Sequence, residues 1–227
     1  MRRAVFVATL MALATPLAAT AAAQGGMKAD PTASVAGSGQ LPGGWHVFLD
    51  PNRHDKMTVK DLSFTESGGT FHVTTGPAGV YWTDRDVAPN GTYTVTASFT
   101  QIKAPRHPEA YGLMVAGRDL TDAQKQSYLY FEVHGTDEYL INHRAGMDVH
   151  KLVNWTANPA IHAKDAAGKA TNVLTIAVAA DSARFLVNDV QVAALPRSAL
   201  GDMSGAYGLR VNHNTDVQIG DLKFTKK

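Results

Sequence analysis

The chain has 227 residues, of which 44% are hydrophobic and 18% are charged, and it contains no cysteine. Lys and Arg (21) nearly balance Asp and Glu (20), which argues against nucleic acid or an anionic membrane surface as the main partner. The lack of cysteine excludes disulfides, thiol nucleophiles and lipid attachment to a leader cysteine. A chain of this length must therefore be held together by a buried core, and we expect one domain.

Residues 1–23 have the pattern of a cleavable secretory signal peptide. Arg2 and Arg3 precede a short apolar run, and small residues follow it up to Ala23. The run is too short to span a membrane, so we predict no transmembrane segment. We therefore expect a secreted or periplasmic mature chain that begins at Gln24.

Small, polar, Gly and Pro residues dominate residues 24–44, which predicts a flexible linker. From Trp45 to Lys227 short alternating runs predict β-strands, with few helix signals apart from single turns near 120–126 and 196–201. The predicted strands are Thr70–Thr75, Gly79–Thr83, Thr92–Ile102, Tyr111–Arg118, Ser127–His134, Glu138–Arg144, Val149–Trp155, Asn172–Ala179, Ala183–Asn188, Val190–Ala194, Ala206–Val211 and Asp216–Phe224. This spacing predicts an all-β sandwich or barrel.

The last predicted strand contains a break in its alternation. Val217 and Ile219 share one face, whereas Leu222 and Phe224 are out of phase with them. Either a β-bulge at Gly220-Asp221 turns both pairs inward, or the strand is buried on both sides.

The C-terminal half resembles a known superfamily through five segments in succession, which are Trp155–Ile161, Asn172–Ile176, Ala183–Val190, Tyr207–Val211 and Val217–Phe224. Their order and spacing are similar to those of the concanavalin A-like lectin/glucanase superfamily, including laminin-G-like modules and the 3-keto-disaccharide hydrolase domain. The resemblance covers roughly residues 93–224. It implies a two-sheet antiparallel jelly roll with one concave face, and a structural, buried Trp155.

Alternation places four chemically active side chains on one face of a single strand. Tyr128, Tyr130, Glu132 and His134 alternate with Leu129, Phe131 and Val133. Aromatic rings cover the C–H faces of a sugar and polar groups bond its hydroxyls, so this face is a candidate sugar site. The alternative is an ordinary wet sheet face with cross-strand pairs.

Neighbouring strands can extend that face. We expect Arg118 to add a polar group and Trp82 to form an aromatic platform at its rim. Either the set Tyr139, Ile141 and His143 or the set Leu140, Asn142 and Arg144 also contributes, because alternation alone does not decide which side faces the core. The candidate substrate-binding residues are therefore Tyr128, Tyr130, Arg118, Asn142, His143, Arg144 and Trp82.

Glycosidases usually need two carboxylates, and glucanases of this superfamily carry them on alternate residues of one strand. Here Glu132 is flanked at those positions by Tyr130 and His134, which makes ordinary glucanase chemistry a poor match. A second acid would come from a loop, at Asp84, Asp86, Asp119, Asp137, Glu138 or Asp148. A lyase or 3-keto-sugar reaction can instead use His134 or His143 as the base beside Glu132. The candidate catalytic residues are therefore Glu132 and His134.

No metal motif stands out among the nine scattered His residues, and a His134, His143 and His150 group is more simply polar surface. The loop Asp50-Pro51-Asn52-Arg53-His54-Asp55 offers oxygen ligands for a structural Ca²⁺, without the regular spacing of a calcium loop. No other cofactor is expected. We therefore expect an exported β-sandwich that binds or processes a glycan through one concave face. The alternatives are a glycoside hydrolase or lyase, and a non-catalytic envelope or adhesion module that binds protein.

Overall fold

The computed structural model describes residues 37–51 and 57–227. Fourteen strands are present in this part of the chain, together with a 3-10 turn (Val59–Asp61) and one turn of α-helix, α1 (Arg197–Leu200). The strands are β1 (Trp45–Leu49), β2 (Leu62–Ser67), β3 (Thr70–Thr75), β4 (Gly79–Ala88), β5 (Tyr93–Lys103), β6 (Ala110–Arg118), β7 (Ser127–His134), β8 (Glu138–Ala145), β9 (Asp148–Ala157), β10 (Ala170–Val178), β11 (Ser182–Val187), β12 (Val190–Pro196), β13 (Gly205–Val211) and β14 (Thr215–Lys226).

The strands form two antiparallel seven-stranded sheets. Sheet A has the order β1-β4-β13-β6-β7-β8-β9, and sheet B has the order β12-β11-β10-β5-β14-β3-β2. This is the all-β, two-sheet antiparallel jelly-roll sandwich that the sequence predicts. All twelve predicted strands are found; β3 and β7 have the predicted ends, and the ends of the others are shifted. β1 and β2 were not predicted.

The core lies between the two sheets and is filled by the predicted inward positions. Phe131 of β7 packs edge-on against Phe185 of β11, with ring centroids 5.4 Å apart. Phe99 of β5 stacks on Tyr111 of β6 at 5.7 Å. We call the face of sheet A that points away from these contacts the outer face of sheet A.

The break in alternation near the C-terminus is a β-bulge, as one of the two sequence alternatives predicted. The register of β14 against β5 shifts between Gly220 and Lys223, and Asp221 has a φ of 55°. Val217 and Ile219 are fully buried, while Leu222 and Phe224 pack partly buried against the same core. One extra residue thus restores the inward direction of the second apolar pair.

The predicted boundaries of the domain are only partly covered by the described residues. The signal peptide, and the first part of the linker, lie outside them. Within residues 37–44 the N–H of Gly39 donates to the carbonyl of Leu62 at 3.2 Å, and Leu41 packs against the core. Contacts with the sandwich therefore begin before Trp45. In the described part of the chain, no helix has the length and apolar character needed to cross a membrane.

Candidate functional site

The four active side chains of β7 lie on the outer face of sheet A, as their alternation predicts, but they are not open to solvent. Tyr128 is 0%, Glu132 1%, and Tyr130 and His134 each 5% exposed. The expected open, sugar-stacking surface at Tyr128 and Tyr130 is therefore wrong. Alternation assigns a residue to one side of a sheet, whereas other parts of the fold decide whether that side is covered.

A second apolar cluster occupies the middle of this outer face. It contains Val80, Trp82, Met114, Leu120, Tyr128, Tyr130 and Leu140. Trp82 is only 6% exposed, with its ring 5.5 Å from that of His46, so the prediction that it forms an exposed rim platform is also wrong. Its ring packs within the sheet face instead of standing at an edge.

The ambiguity in β8 is resolved in favour of Leu140, Asn142 and Arg144, which point to the outer face. Asn142 donates a hydrogen bond to the Tyr130 hydroxyl at 3.0 Å. His143 points to the opposite side of the strand, where its Nε2 lies 3.0 Å from the Ser127 hydroxyl. His143 is therefore not part of a site on the outer face.

Arg118 lies at the opposite end of β6 from Gly112, which pairs with Glu132 of β7. Its guanidinium pairs with Asp202 at 2.6 Å and donates to the carbonyl of Ser204 at 3.0 Å. These bonds join β6 to the segment before β13. The structure therefore separates Arg118 from Glu132 and His134.

A buried group of charges lies on the outer face of sheet A and joins the end of β1 to side chains of β13 and β8. Arg210 donates two hydrogen bonds to Asp50, at 2.8 and 2.6 Å, and Arg144 donates a third at 3.0 Å. Both arginine side chains are less than a tenth exposed. The Arg210 guanidinium also lies 5.4 Å from the centre of the Tyr130 ring, within cation–π distance. Asp50 is thus fixed between two cations.

Glu132 approaches the same guanidinium from the other side, through a gap left by a glycine. Arg210 and Glu132 both pair with Gly112 across neighbouring strands, so no side chain separates them on the outer face. The Nε of Arg210 lies 3.8 Å from Oε1 of Glu132. That oxygen has no hydrogen-bond partner among the described residues, although the Asn212 side chain bonds to the carboxyl group.

The pKa values of the two carboxyl groups in this cluster are shifted in opposite directions. Burial raises the pKa of Glu132 to about 7, because the single Arg210 contact offsets only part of the desolvation. Burial also acts to raise the pKa of Asp50, but Arg210 and Arg144 outweigh it and hold the pKa below its ordinary value. At neutral pH, Asp50 is therefore ionised while Glu132 is poised to gain or lose a proton.

His134 has both ring nitrogens engaged. Its Nδ1 lies 2.6 Å from the Thr136 hydroxyl, and its Nε2 pairs with Glu138 at 3.3 Å. Burial lowers the pKa of His134, and the Glu138 carboxylate reverses only part of this effect. In this arrangement His134 supports its neighbours and offers no free nitrogen as a base.

Trp155 packs against His134 at the edge of the sheet, with ring centroids 4.3 Å apart and the rings tilted by 41°. It is 42% exposed, whereas Trp45 and Trp82 are buried, so the expectation that Trp155 belongs to the core is wrong. The register of β8 against β9 leaves two residues, Asn154 and Trp155, opposite the single position 140. This β-bulge turns the indole onto the outer face, an effect for which bulges are well suited.

A small cavity opens near the ends of β1, β4 and β13, at the same end of sheet A as His134. It has a volume of about 220 Å³ and is lined by Leu49, Asp50, Pro51, Met57, Pro77, Ala78 and His213. Glu109 lies between this cavity and the Trp155 edge. Its carboxylate is 3.9 Å from Nδ1 of His213 and 3.5 Å from Nδ1 of His107. Polar groups therefore continue from the cavity towards β7.

In the described residues, no three His, Asp or Glu side chains are grouped to hold a metal ion. Both Asp50 oxygens are occupied by arginines, which contradicts the use of Asp50 as a calcium ligand. Asn52 to Asp55, the remainder of that predicted loop, lies outside the described residues.

Sequence reasoning overlooked Arg210 and misassigned Asp50 and Trp155. One feature of the sequence could have drawn attention to Arg210, because it is an arginine between apolar neighbours in a predicted strand. Nothing in the sequence around Asp50 indicated its role, because its partners are 94 and 160 positions away. The bulge in β9 had no sequence signal that alternation could detect.

Among solved structures, the sandwich is similar to the carbohydrate-binding module CBM66 from Bacillus subtilis, with a TM-score of 0.57 and 12% identity over 81% of this chain and 96% of that chain. It is equally similar to a Bacillus subtilis protein of unknown function with a galectin-like fold, with a TM-score of 0.57 and 13% identity over 79% and 88% of the two chains. A candidate glycosyl hydrolase from Parabacteroides distasonis gives a TM-score of 0.51 at 12% identity, over 72% and 90%.

These similarities establish the fold. No protein-family model matches the sequence, and no curated protein matches it significantly.

Proposed function

We propose that this protein recognises a carbohydrate at the end of the outer face of sheet A, with Trp155 as the ring that stacks on the sugar. The exposed indole, turned outward by a bulge and supported by His134, is the observation that carries the proposal. An exposed tryptophan covers the apolar C–H face of a sugar ring. The half-exposed Glu138 carboxylate, 3.3 Å from His134, can accept bonds from sugar hydroxyls.

This location is at the edge of the same sheet face on which the sugar was first expected, at Tyr128 and Tyr130. Those rings belong to the buried apolar cluster, so their contribution is to hold the sheet face rigid beneath the site. Two proteins with similar folds support the proposal, because one is a carbohydrate-binding module and the other is a candidate glycosyl hydrolase. The near balance of charges in the chain fits a neutral ligand better than a polyanion.

The test is calorimetric titration with a panel of soluble β-glucan, xylan, galactan, fructan and chitin oligomers. We expect at least one to bind, and Trp155→Ala to weaken that binding at least tenfold without lowering the melting temperature. Val190→Ala is the control, because Val190 is 52% exposed on β12 of the other sheet. If no member of the panel binds, the proposal is wrong and a protein-binding role is favoured. Unchanged binding by Trp155→Ala would exclude this location.

A second candidate function is cleavage of the bound glycan, with Glu132 as the proton donor. The specific observation is that Glu132 is buried, has an oxygen with no hydrogen-bond partner among the described residues, and has its pKa raised to about 7 by desolvation. If the protein is an enzyme, Glu132→Gln will keep glycan binding and abolish product release. If wild-type protein releases no product from any bound glycan, the catalytic role is excluded.

We further propose that residues 1–23 direct export and are then removed. N-terminal sequencing of the protein recovered from the periplasm or medium will show Gln24 as the first residue. Deletion of residues 2–23 will leave the protein in the cytoplasm. Recovery of the intact N-terminus outside the cytoplasm would contradict cleavage at this point.

A further inference from the structure

Two histidines face each other across neighbouring strands at the β9 edge of sheet A. His143 of β8 and His150 of β9 are direct cross-strand partners, and their ring centroids are 5.9 Å apart. His143 is half-buried and His150 is exposed. His134 lies away from them, because it pairs with Glu138 at the start of β8. The group of three histidines considered from the sequence is therefore a pair in the structure.

The separation of the two rings suits a single metal ion. A bond from a histidine nitrogen to a metal such as zinc is about 2.0–2.1 Å long, so one ion reaches a nitrogen of each ring when the ring centres are roughly 4.5–6.5 Å apart. The 5.9 Å between His143 and His150 lies inside this range. Because the His150 side chain is exposed, it can also rotate to aim a nitrogen at the ion.

Ring nitrogens are available on both histidines. The Ser127 hydroxyl lies 3.0 Å from Nε2 of His143. In the described part of the chain, no other hydrogen bond or ion pair engages either ring. The Ser127 contact holds the His143 ring in place, as the outer hydrogen bonds of metal-binding histidines commonly do, and it leaves Nδ1 of His143 for the ion.

The charges around the pair also favour a cation. An imidazole must be neutral to bind a metal ion, and burial together with the neighbouring His150 lowers the pKa of His143. The His143 ring is therefore neutral at neutral pH. The exposed Asp148 lies two residues from His150 on the same side of β9, where its negative charge attracts a cation to the pair.

We infer that His143 and His150 form a binding site for a divalent transition-metal ion, with Cu²⁺ as the ion that binds most tightly. Two imidazole nitrogens, with water or the Ser127 hydroxyl at the remaining positions, give the mixed nitrogen and oxygen set that suits Cu²⁺. Zn²⁺ and Ni²⁺ bind a given nitrogen site more weakly than Cu²⁺ does. Because only two protein side chains are nitrogen ligands, the ion is exchangeable, unlike one in a closed four-ligand site. This site is independent of the proposed carbohydrate recognition.

The test is titration of the purified chain, without a polyhistidine tag, with CuCl₂. We expect one Cu²⁺ per chain at saturation of this site, and an electron paramagnetic resonance spectrum with two coordinating nitrogens. His143→Ala and His150→Ala should each weaken binding at least tenfold and leave the spectrum of a single nitrogen ligand. An ion that joins β8 to β9 stabilises only the folded chain, so Cu²⁺ should raise the melting temperature of the wild type and of neither variant.

His72→Ala is the matched control, because His72 is a half-buried histidine on sheet B, paired with Asp216, and this variant should bind Cu²⁺ like the wild type. His150 is exposed, so His150→Ala should keep the fold, which circular dichroism will verify. Equal affinity of His150→Ala and wild type, or a single coordinating nitrogen in the wild type, would overturn the site. Equal weakening by His72→Ala would also overturn it, because the ion would then bind histidines without preference.

Discussion

Arg210 donates two hydrogen bonds, of 2.8 and 2.6 Å, to Asp50, which lies 160 positions away in the chain. The pair fixes the end of β1 to the end of β13. Because Asp50 also borders the cavity, the ion pair links the stability of the fold to the shape of that cavity.

Replacing Arg210 should be far more costly than replacing an exposed arginine. Arg210→Met leaves Asp50 with Arg144 as its remaining arginine, and loss of one member of a buried ion pair costs about 3–5 kcal/mol. Arg118→Met is the control, because Arg118 pairs with Asp202 at the surface, where such pairs contribute about 1 kcal/mol or less. Urea unfolding of both variants will measure the difference. Equal losses would show that the buried pair has no special role.

Stability should depend on pH through Glu132. Its pKa is raised from 4.5 to about 7 by burial, so the folded protein binds a proton that the unfolded chain releases between these values. The resulting stabilisation is fully present below pH 4.5 and is lost as pH rises through 7. It amounts to about 3 kcal/mol. Glu132→Gln should abolish this decline.

The measurement is the free energy of unfolding of wild type and Glu132→Gln at several pH values from 4.5 to 8. Taking the difference at each pH cancels the contribution of His134, whose lowered pKa acts in the opposite direction. A difference that stays constant over this range would show that Glu132 titrates normally.

Gly112 should not tolerate a side chain. A Cβ at this position would collide with the carbonyl oxygen of Phe131, and it would enter the gap through which Arg210 faces Glu132. We expect Gly112→Ala to cost about 1–3 kcal/mol. Gly43→Ala is the control, since a Cβ there meets nothing within 4 Å. Thermal unfolding should show a lower melting temperature for the first variant and little change for the second.

Trp155 should account for the solvent-accessible tryptophan fluorescence. Trp45 is 8%, Trp82 6% and Trp155 42% exposed, so acrylamide should quench mainly the emission of Trp155. Trp155→Phe should leave emission that acrylamide quenches weakly. A bound glycan should protect the wild type from quenching, because it covers the indole. Strong quenching that persists in Trp155→Phe would mean that another tryptophan is open to solvent.

The amino-acid sequence was sufficient to predict the type of fold and the direction of most strand side chains. Alternation with a period of two is a local property, so Phe131 and Glu132 could be assigned to opposite faces without knowledge of the rest of the chain. The bulge in β14 was one of two local alternatives, since Ile219 and Leu222 are both apolar but stand out of phase in an alternating strand.

Burial of the outer face and composition of the site depended on the tertiary structure. The sequence could place Tyr130 on that face, but only the tertiary structure shows that its side chain is buried in an apolar cluster with Trp82, Met114 and Tyr128. Asp50 and Arg210 become partners because β1 and β13 both pair with β4. Trp155 points to solvent because the pairing of β9 with β8 has a bulge. Each depends on strand pairing or cross-strand packing, which a pattern within a single strand does not encode.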